Sequence, residues 1–288
     1  PRGGRRRAEA PVIRVHAVAL RSDPDRPTAA AAAVAAVERA ADDGAALVVL
    51  PEYAVAFDPR GVGSDQAEPL DGPFVAGLAR AAARTGVVVV AGTVLPGSRP
   101  ERAVNAVVAL GADGVLGVYR KVHLYDAFGH RESERLEPGD PAAAPLVVPV
   151  GDLRVGVLTC YDLRFPESAR LLVDAGATVL AVPAAWAAGE HKADHWATLL
   201  RARAIENTAY VVGATQRGPG VVGGPAVVDP DGVVLAGDPG RVAADDRGRD
   251  ADDGPEVAAA ELDAGVVARV RERNPSLRNR RYRVVPGD

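Results

Sequence analysis

An α/β fold with helices laid over sheet faces is what the hydropathy pattern of this chain predicts, and three observations carry it. Apolar and β-branched runs of strand length alternate with alanine-rich segments of helical length along most of the 288 residues. Some runs, such as ALVVL (46–50), are apolar without alternation, as strands buried on both faces are. Each half of the chain also offers a hairpin turned by Asp-Gly, GADG at 111–114 and PDG at 230–232, so the halves read as two related layers.

The elements follow in order. VIRVHAVAL (12–20) reads as a first strand, and the alanine-rich stretch from Thr28 to Ala41 as a helix capped by Thr28. ALVVLPE (46–52) is a strand ended by Pro51, which leaves Glu52 just past its end. A helix over 72–84 leads into VVVVAGTVL (87–95), and then to the hairpin AVNAVVAL and GVLGVYRK, whose second strand ends at Lys121. VGVLT (155–159) is a strand running into Cys160, and Pro166 opens a helix over 166–175. The strand ATVLAVPAAW (177–186), a helix from Asp194 to Asn207, the strand AYVVGATQ (209–216) and the hairpin AVVDPDGVVLAG (226–237) complete the second half. A last strand at VAAAEL, from Val257, and a short helix precede an arginine-rich tail.

These patterns place one domain at 11–273, between a flexible tail at 1–10 and a C-terminal tail at 274–288. Residues 238–255, polar and glycine-rich, form a mobile loop within it. Hydrophobic residues at 48%, charged residues at 25% and a net charge of -4 give no reason to expect a nucleic-acid or membrane-surface partner. No apolar run approaches the roughly 20 residues that span a bilayer, and one cysteine builds no disulfide framework, so the cytoplasm is the default. His191 and His195 lack acidic or cysteine partners at metal-ligand spacing, and no metal or cofactor is implied. Lysine is almost wholly replaced by arginine: Lys121 and Lys192 are the only two, which makes each worth attention.

Three readings compete for Cys160: an inert core residue, half of an intermolecular disulfide, or a nucleophile. Its place at the C-terminal end of a strand, where α/β proteins gather their chemistry, favours none alone, because free cysteine is among the most buried residue types. Likewise a glutamate after a strand is usually a solvated end, and a lysine there a gatekeeper. The order of the three segments is more specific.

ALVVLPEY, YRKVHLYD and TCYDLRFPE put Glu52, Lys121 and Cys160 at intervals of 69 and 39 residues, and they resemble the signature segments of the nitrilase (carbon-nitrogen hydrolase) superfamily. RESERLEPGD (131–140), VPAAW (182–186), HWATLLRARAIENTAYVVGATQ (195–216) and VVDPDG extend the resemblance over residues 12 to 273. It implies a four-layer αββα sandwich and a Glu-Lys-Cys triad, with Glu132 as a second active-site glutamate. CYDLRFPE together with RKVHLYD looks more like the amidase branches, of omega-amidase and deaminated-glutathione-amidase type, than true nitrilases.

The activity so implied is hydrolysis of a small carboxamide to an acid and ammonia through a thioester, with nitrile or N-carbamoyl hydrolysis as alternatives and an idle small-molecule binder as the non-enzymatic rival. Cys160 would supply a thiolate whose pKa is lowered by the ammonium and the following helix, and Glu52 would act as base. Lys121 and the backbone N–H of Tyr161 would hold the oxyanion, and Glu132 would orient Lys121 or the substrate nitrogen. Trp186, Tyr125, Phe128 and Arg131 are the candidates for substrate contact, whereas Asp162, Arg164 and Glu167 fit a local capping network and His123 a support for the strand end. Surplus apolar residues on SARLLVDAG and on the helix after Asp194 predict a homodimer or larger even-numbered oligomer, with Arg278, Arg280 and Arg281 meeting acids across the contact. One departure from the family pattern is Pro225, where a serine is common; it removes a backbone donor and puts the local loop in doubt.

Overall fold

The computed structural model describes residues 12–241 and 255–287. The first half of the chain folds as β1 (Ile13–Ala19), α1 (Arg26–Asp42), β2 (Ala45–Val49), α2 (Pro73–Thr85), β3 (Val88–Pro96), β4 (Ala103–Gly111) and β5 (Gly114–Arg120). The second half follows as β6 (Val147–Val150), β7 (Leu153–Val157), α3 (Pro166–Asp174), β8 (Val179–Ala184), α4 (Lys192–Asn207), β9 (Tyr210–Thr215), β10 (Ala226–Val228) and β11 (Val234–Gly237). β12 (Glu256–Leu262), α5 (Ala264–Arg273) and the short α6 (Ser276–Asn279) close the chain. The tail at 1–10 and most of the 238–255 loop lie outside the described residues.

The strands form two six-stranded sheets, ordered β12-β1-β2-β3-β4-β5 and β6-β7-β8-β9-β10-β11. Reading both from the left, the pairings are antiparallel, parallel, parallel, antiparallel, antiparallel. The two halves are thus one topology used twice, which explains the paired Asp-Gly hairpins. Single residues alternate between cores: Leu47 and Val49 join Val155, Val157 and Val212 between the sheets, while Val48 and Leu50 pack outward with α1 and α2. Leu163, Leu180 and Trp196 do the same beneath α3 and α4, completing four αββα layers. Because both faces of the central strands are covered, their sequences are continuously apolar. Truncating Leu47, fully buried between the sheets, should cost about 2–5 kcal/mol.

Several boundaries differ from expectation for identifiable reasons. Asp25, not Thr28, caps α1: its carboxylate accepts from both the backbone N and the hydroxyl of Thr28, which starts the helix at Arg26. α4 begins two residues before Asp194, at Lys192, entered through His191 at φ 58°. β6 is an edge strand with a central proline, Pro149, a composition that argues against a strand anywhere but at an edge. Pro225 stands just before β10, where the ladder does not yet need its donor, and it does not line the cavity described below. No helix among the described residues is long and apolar enough to cross a membrane.

Candidate active site

Three chain segments line one cavity of about 400 Å³ with Glu52, Glu132 and Cys160, and a fourth buries Lys121 behind the two carboxylates. Glu52 reaches the cavity from the end of β2. That segment is stitched to β3 by bonds from Leu50 N to Val90 O (2.8 Å), Gly92 N to Pro51 O (3.0 Å) and Ala54 N to Gly92 O (3.0 Å). The fit demands glycine at 92, where a Cβ would lie 2.4 Å from the Cα of Glu52. Lys121, one residue past β5, is held by its own backbone, which donates to Asn105 O and accepts from Gly139 N. Glu132 enters on a single 3-10 turn, Glu132–Glu134. Cys160 opens another, Cys160–Arg164, directly after β7.

Lys121 is the hub of the charged groups. Its ammonium, with no solvent exposure, donates to Glu52 Oε1 at 2.9 Å and to Glu132 Oε2 and Oε1 at 2.9 and 3.1 Å. Burial alone would drive its pKa down, but the carboxylates of Glu132 and Glu52 outweigh that and hold it well above the ordinary lysine value. An ammonium has three donors, and these three contacts engage all of them, two on the single carboxylate of Glu132. Glu52 is itself oriented by Asn105 Nδ2 (2.7 Å), by Ala185 N on its other oxygen (2.8 Å), and through its backbone carbonyl by Gln216 (2.9 Å). Glu132 accepts from Tyr53 Oη and from Tyr125 N, both at 2.8 Å.

Cys160 sits at φ 46°, a left-handed conformation that costs a non-glycine residue of order 1–3 kcal/mol and that concentrates at functional sites. Its thiol is buried among Glu52, Lys121 and the carbonyl of Ala185, to which Sγ donates at 3.8 Å. The expected low pKa is not what this setting produces. Burial first and the Glu52 carboxylate second push the thiol well above its ordinary value, and Lys121 offsets only part of this. The helix α3 does not help either, since it begins six residues later, beyond the 3-10 turn. That direction favours the thiol over the thiolate at Cys160.

Around this floor the cavity is lined by Tyr125, Arg131, Tyr161, Arg164, Trp186 and Lys192 among others. Phe128, also expected there, is not among the lining residues: largely exposed and at φ 54°, it stacks on Tyr125 and lays its ring face over Arg164 and Lys192 at 5.7 and 4.2 Å. The capping network expected of Asp162, Arg164 and Glu167 separates into three. Asp162 turns inward to Thr159 N, Tyr119 and His123, Glu167 lines an outer groove, and Arg164 faces the cavity. His123 is held by Asp162 and stacks on Phe165 at 3.7 Å.

Lys192 is the residue that sequence reasoning left without a role. Only 4% exposed, it donates to Tyr125 Oη at 2.6 Å and lies over the rings of Tyr125, Phe128 and Trp186 at 4.2 to 5.6 Å. No carboxylate among the described residues pairs with it. Arg164, its cationic neighbour, likewise has no acid; its Nε is buried without a partner, and Nη2 meets only His195 Nδ1 at 3.2 Å. Among the described residues, no cluster of histidine, cysteine and acidic side chains could hold a metal ion.

Residues 14–272 match the carbon-nitrogen hydrolase family. A deaminated glutathione amidase of Escherichia coli O157:H7 is 38% identical over 246 residues, covering 85% of this chain and 88% of its own. The mouse protein of the same name is 33% identical over 262 residues, 85% of this chain and 76% of its own. Among solved structures, Saccharomyces cerevisiae Nit3, a member of branch 10 of the nitrilase superfamily, superimposes with a TM-score of 0.77 at 28% identity, covering 95% of this chain and 98% of that one. An amidase from Nesterenkonia sp. AN1, solved as a double mutant with acrylamide, does so at 0.71 and 25%, covering 96% and 98%.

Proposed function

Because the chain belongs to the carbon-nitrogen hydrolase family, we propose that it is a cysteine-dependent amidase, hydrolysing a small carboxamide to a carboxylic acid and ammonia. The observation that carries this reading is the buried Glu52–Lys121–Glu132 chain set against the Cys160 thiol at the floor of one cavity. Starting from the thiol, Glu52 takes its proton as Sγ attacks the amide carbon. The oxygen, becoming an oxyanion, is met by the Lys121 ammonium, one donor of which turns to it from the doubly served Glu132, and by Tyr161 N–H. Glu52 returns the proton to the departing nitrogen, ammonia leaves, and the acyl group stays on sulfur as a thioester. Water, deprotonated by Glu52, then attacks the thioester, the second oxyanion collapses, and the acid departs as the thiol is restored. Glu132 keeps Lys121 aimed.

Lys192 and Arg164 narrow the substrate. Two cations without acids, on one wall of the cavity that holds Cys160, fit an amide whose far end carries a carboxylate, in keeping with relatives named deaminated glutathione amidases. The test is a substrate panel with mass spectrometry of the trapped enzyme: glutaramate and succinamate against uncharged butyramide, a matching nitrile and an N-carbamoyl amine. The expected result is ammonia release from the charged amides, an acyl adduct on Cys160, and no turnover by Cys160→Ala. Faster release from the nitrile or the carbamoyl compound moves the activity to those classes, and binding without release makes the protein an idle relative.

The proposed assembly is a homodimer. Ile205 on α4 is 46% exposed and Tyr282 90% exposed, and an apolar groove runs along α3 beside residues 284–287. Arg280, expected to meet an acid across the contact, pairs instead with Asp174 of its own chain at 3.0 Å. Light scattering at micromolar concentration decides: a fully active species of 29.7 kDa rules the dimer out.

A further inference from the structure

Glu52 and Cys160 belong to different sheets, and two bonds tie them together across the gap: Glu52 accepts from Ala185 N after β8, and its carbonyl accepts from Gln216 after β9. Lys121 and Cys160 also belong to different sheets, yet no bond joins Lys121 directly to the cysteine turn. The lysine is anchored on its own side by its backbone, to Asn105 of β4 and to Gly139. The cysteine turn is anchored to its own through Thr159 Oγ1 on Pro183 O (2.8 Å), and through Arg203, which donates to Leu163 O from Nε (3.0 Å) and Nη2 (2.7 Å). Lys121 reaches the second sheet through Glu52, which accepts from both Lys121 and Ala185 N, and a further residue links it to the cysteine turn itself.

Asp162, two residues after Cys160, is completely buried, and its carboxylate is served by four donor groups from three residues. Oδ2 accepts from Thr159 N (3.0 Å) and from Tyr119 Oη (2.7 Å). Oδ1 accepts from His123 N (3.2 Å) and from His123 Nδ1 (2.7 Å). Tyr119 and His123 bracket Lys121 in sequence, so three of the four bonds cross from the lysine strand and the fourth reaches the residue before the nucleophile. None of these groups lines the cavity; Tyr119 and His123 face the groove on the other side. A buried carboxylate without donors costs several kcal/mol, which makes the arrangement costly to distort.

We propose that Asp162 is a positioning residue that sets Lys121 against Cys160, acting through Tyr119 and His123 and touching neither substrate nor the reacting atoms. This rests on the reading of Cys160 as nucleophile and Lys121 as the oxyanion's partner. An oxyanion donor displaced by a fraction of an ångström still allows substrate to bind but no longer stabilises the transition state, so the effect falls on kcat and not on KM.

Tyr119→Phe removes one cross-sheet bond and leaves the cysteine turn's own anchors intact. It should lower kcat about tenfold, with KM and the rate of Cys160 alkylation by iodoacetamide each within about twofold of wild type, because alkylation forms no oxyanion. Asp162→Asn, which keeps the volume but turns an acceptor into a donor, should lower kcat about a hundredfold. The double variant should be no slower than Asp162→Asn alone, since both changes break one linkage. Should Asp162→Asn fail to fold, Tyr119→Phe alone decides. A folded Tyr119→Phe with wild-type kcat, a loss confined to KM, or a loss of alkylation equal to the loss of kcat overturns the proposal. Turnover by Cys160→Ala would instead overturn the reading of the site on which it rests.

Discussion

The two lysines of this chain are buried almost equally, and their surroundings make them opposites. Lys121, unexposed, sits between two carboxylates with its charge matched and its pKa held up. Lys192, 4% exposed, sits in a cage of three aromatic rings and a phenol oxygen, with no acid and an arginine nearby, and its pKa is held down. Desolvation acts on both, so burial does not distinguish them; the partners do. A cation whose counter-ions are already in place belongs to the standing machinery. One that faces a cavity without them is poised for a counter-ion that arrives with the substrate.

Breaking the first half of that contrast should have the larger effect. Lys121→Arg keeps the charge, but a planar fork does not fit the compact ammonium's place between Glu52 and Glu132. Turnover should fall by at least about 10²–10³-fold, the scale of losing one oxyanion donor, in steady-state assays of folded enzyme. Near-normal turnover would mean that Lys121 serves the fold and not the reaction. Breaking the second half should be milder and selective. Lys192→Leu removes a charge-assisted contact of about 1.5–3 kcal/mol, which should raise KM for glutaramate about 10–100-fold and leave kcat/KM for butyramide within about threefold. Equal losses on both amides would assign Lys192 to the wall of the cavity and not to recognition.

The contrast also marks what the sequence made legible. Glu52, Lys121 and Cys160 stand just past strands that announce themselves by apolar runs, in three motif-bearing segments, and the structure brings Glu52, Glu132 and Cys160 to one cavity with Lys121 buried against the two carboxylates. Lys192 carries no such signal. At the first position of a helix a lysine reads as a solvated end, and the rings that enclose it come from residues 125, 128 and 186, brought together only by the fold. Its rarity in an arginine-rich chain was the one hint. The thiol's pKa was misjudged for a related reason: an ammonium nearby was foreseen, but not that burial and the Glu52 carboxylate would outweigh it. Asp162 was expected to cap its own turn, and it does, yet its other donors arrive from β5 and from just beyond Lys121, which no local pattern in CYDLRFPE encodes.

The smallest effect is the most specific to the comparison, because pH should act on one lysine and spare the other. Burial, then the charge of Arg164, lowers the pKa of Lys192, so in the free enzyme its ammonium loses its proton at a lower pH than an exposed lysine would. The Lys121 ammonium, raised, keeps its proton through the same range, and the Tyr125 phenol, pushed up to about 12 chiefly by burial, stays neutral. As pH climbs through the depressed pKa of Lys192, KM for glutaramate should rise, about twofold at that pKa and then about tenfold per further pH unit, while kcat at saturation holds. Butyramide, with no charge to recognise, should show no such rise in KM. Lys192→Arg supplies a cation that does not titrate in this range, and it should flatten the glutaramate profile even if its KM is poorer throughout. A KM profile for glutaramate that stays flat in the wild type, or one that still bends in Lys192→Arg, would remove the ionisation of Lys192 from substrate recognition and with it the division of labour between the two lysines.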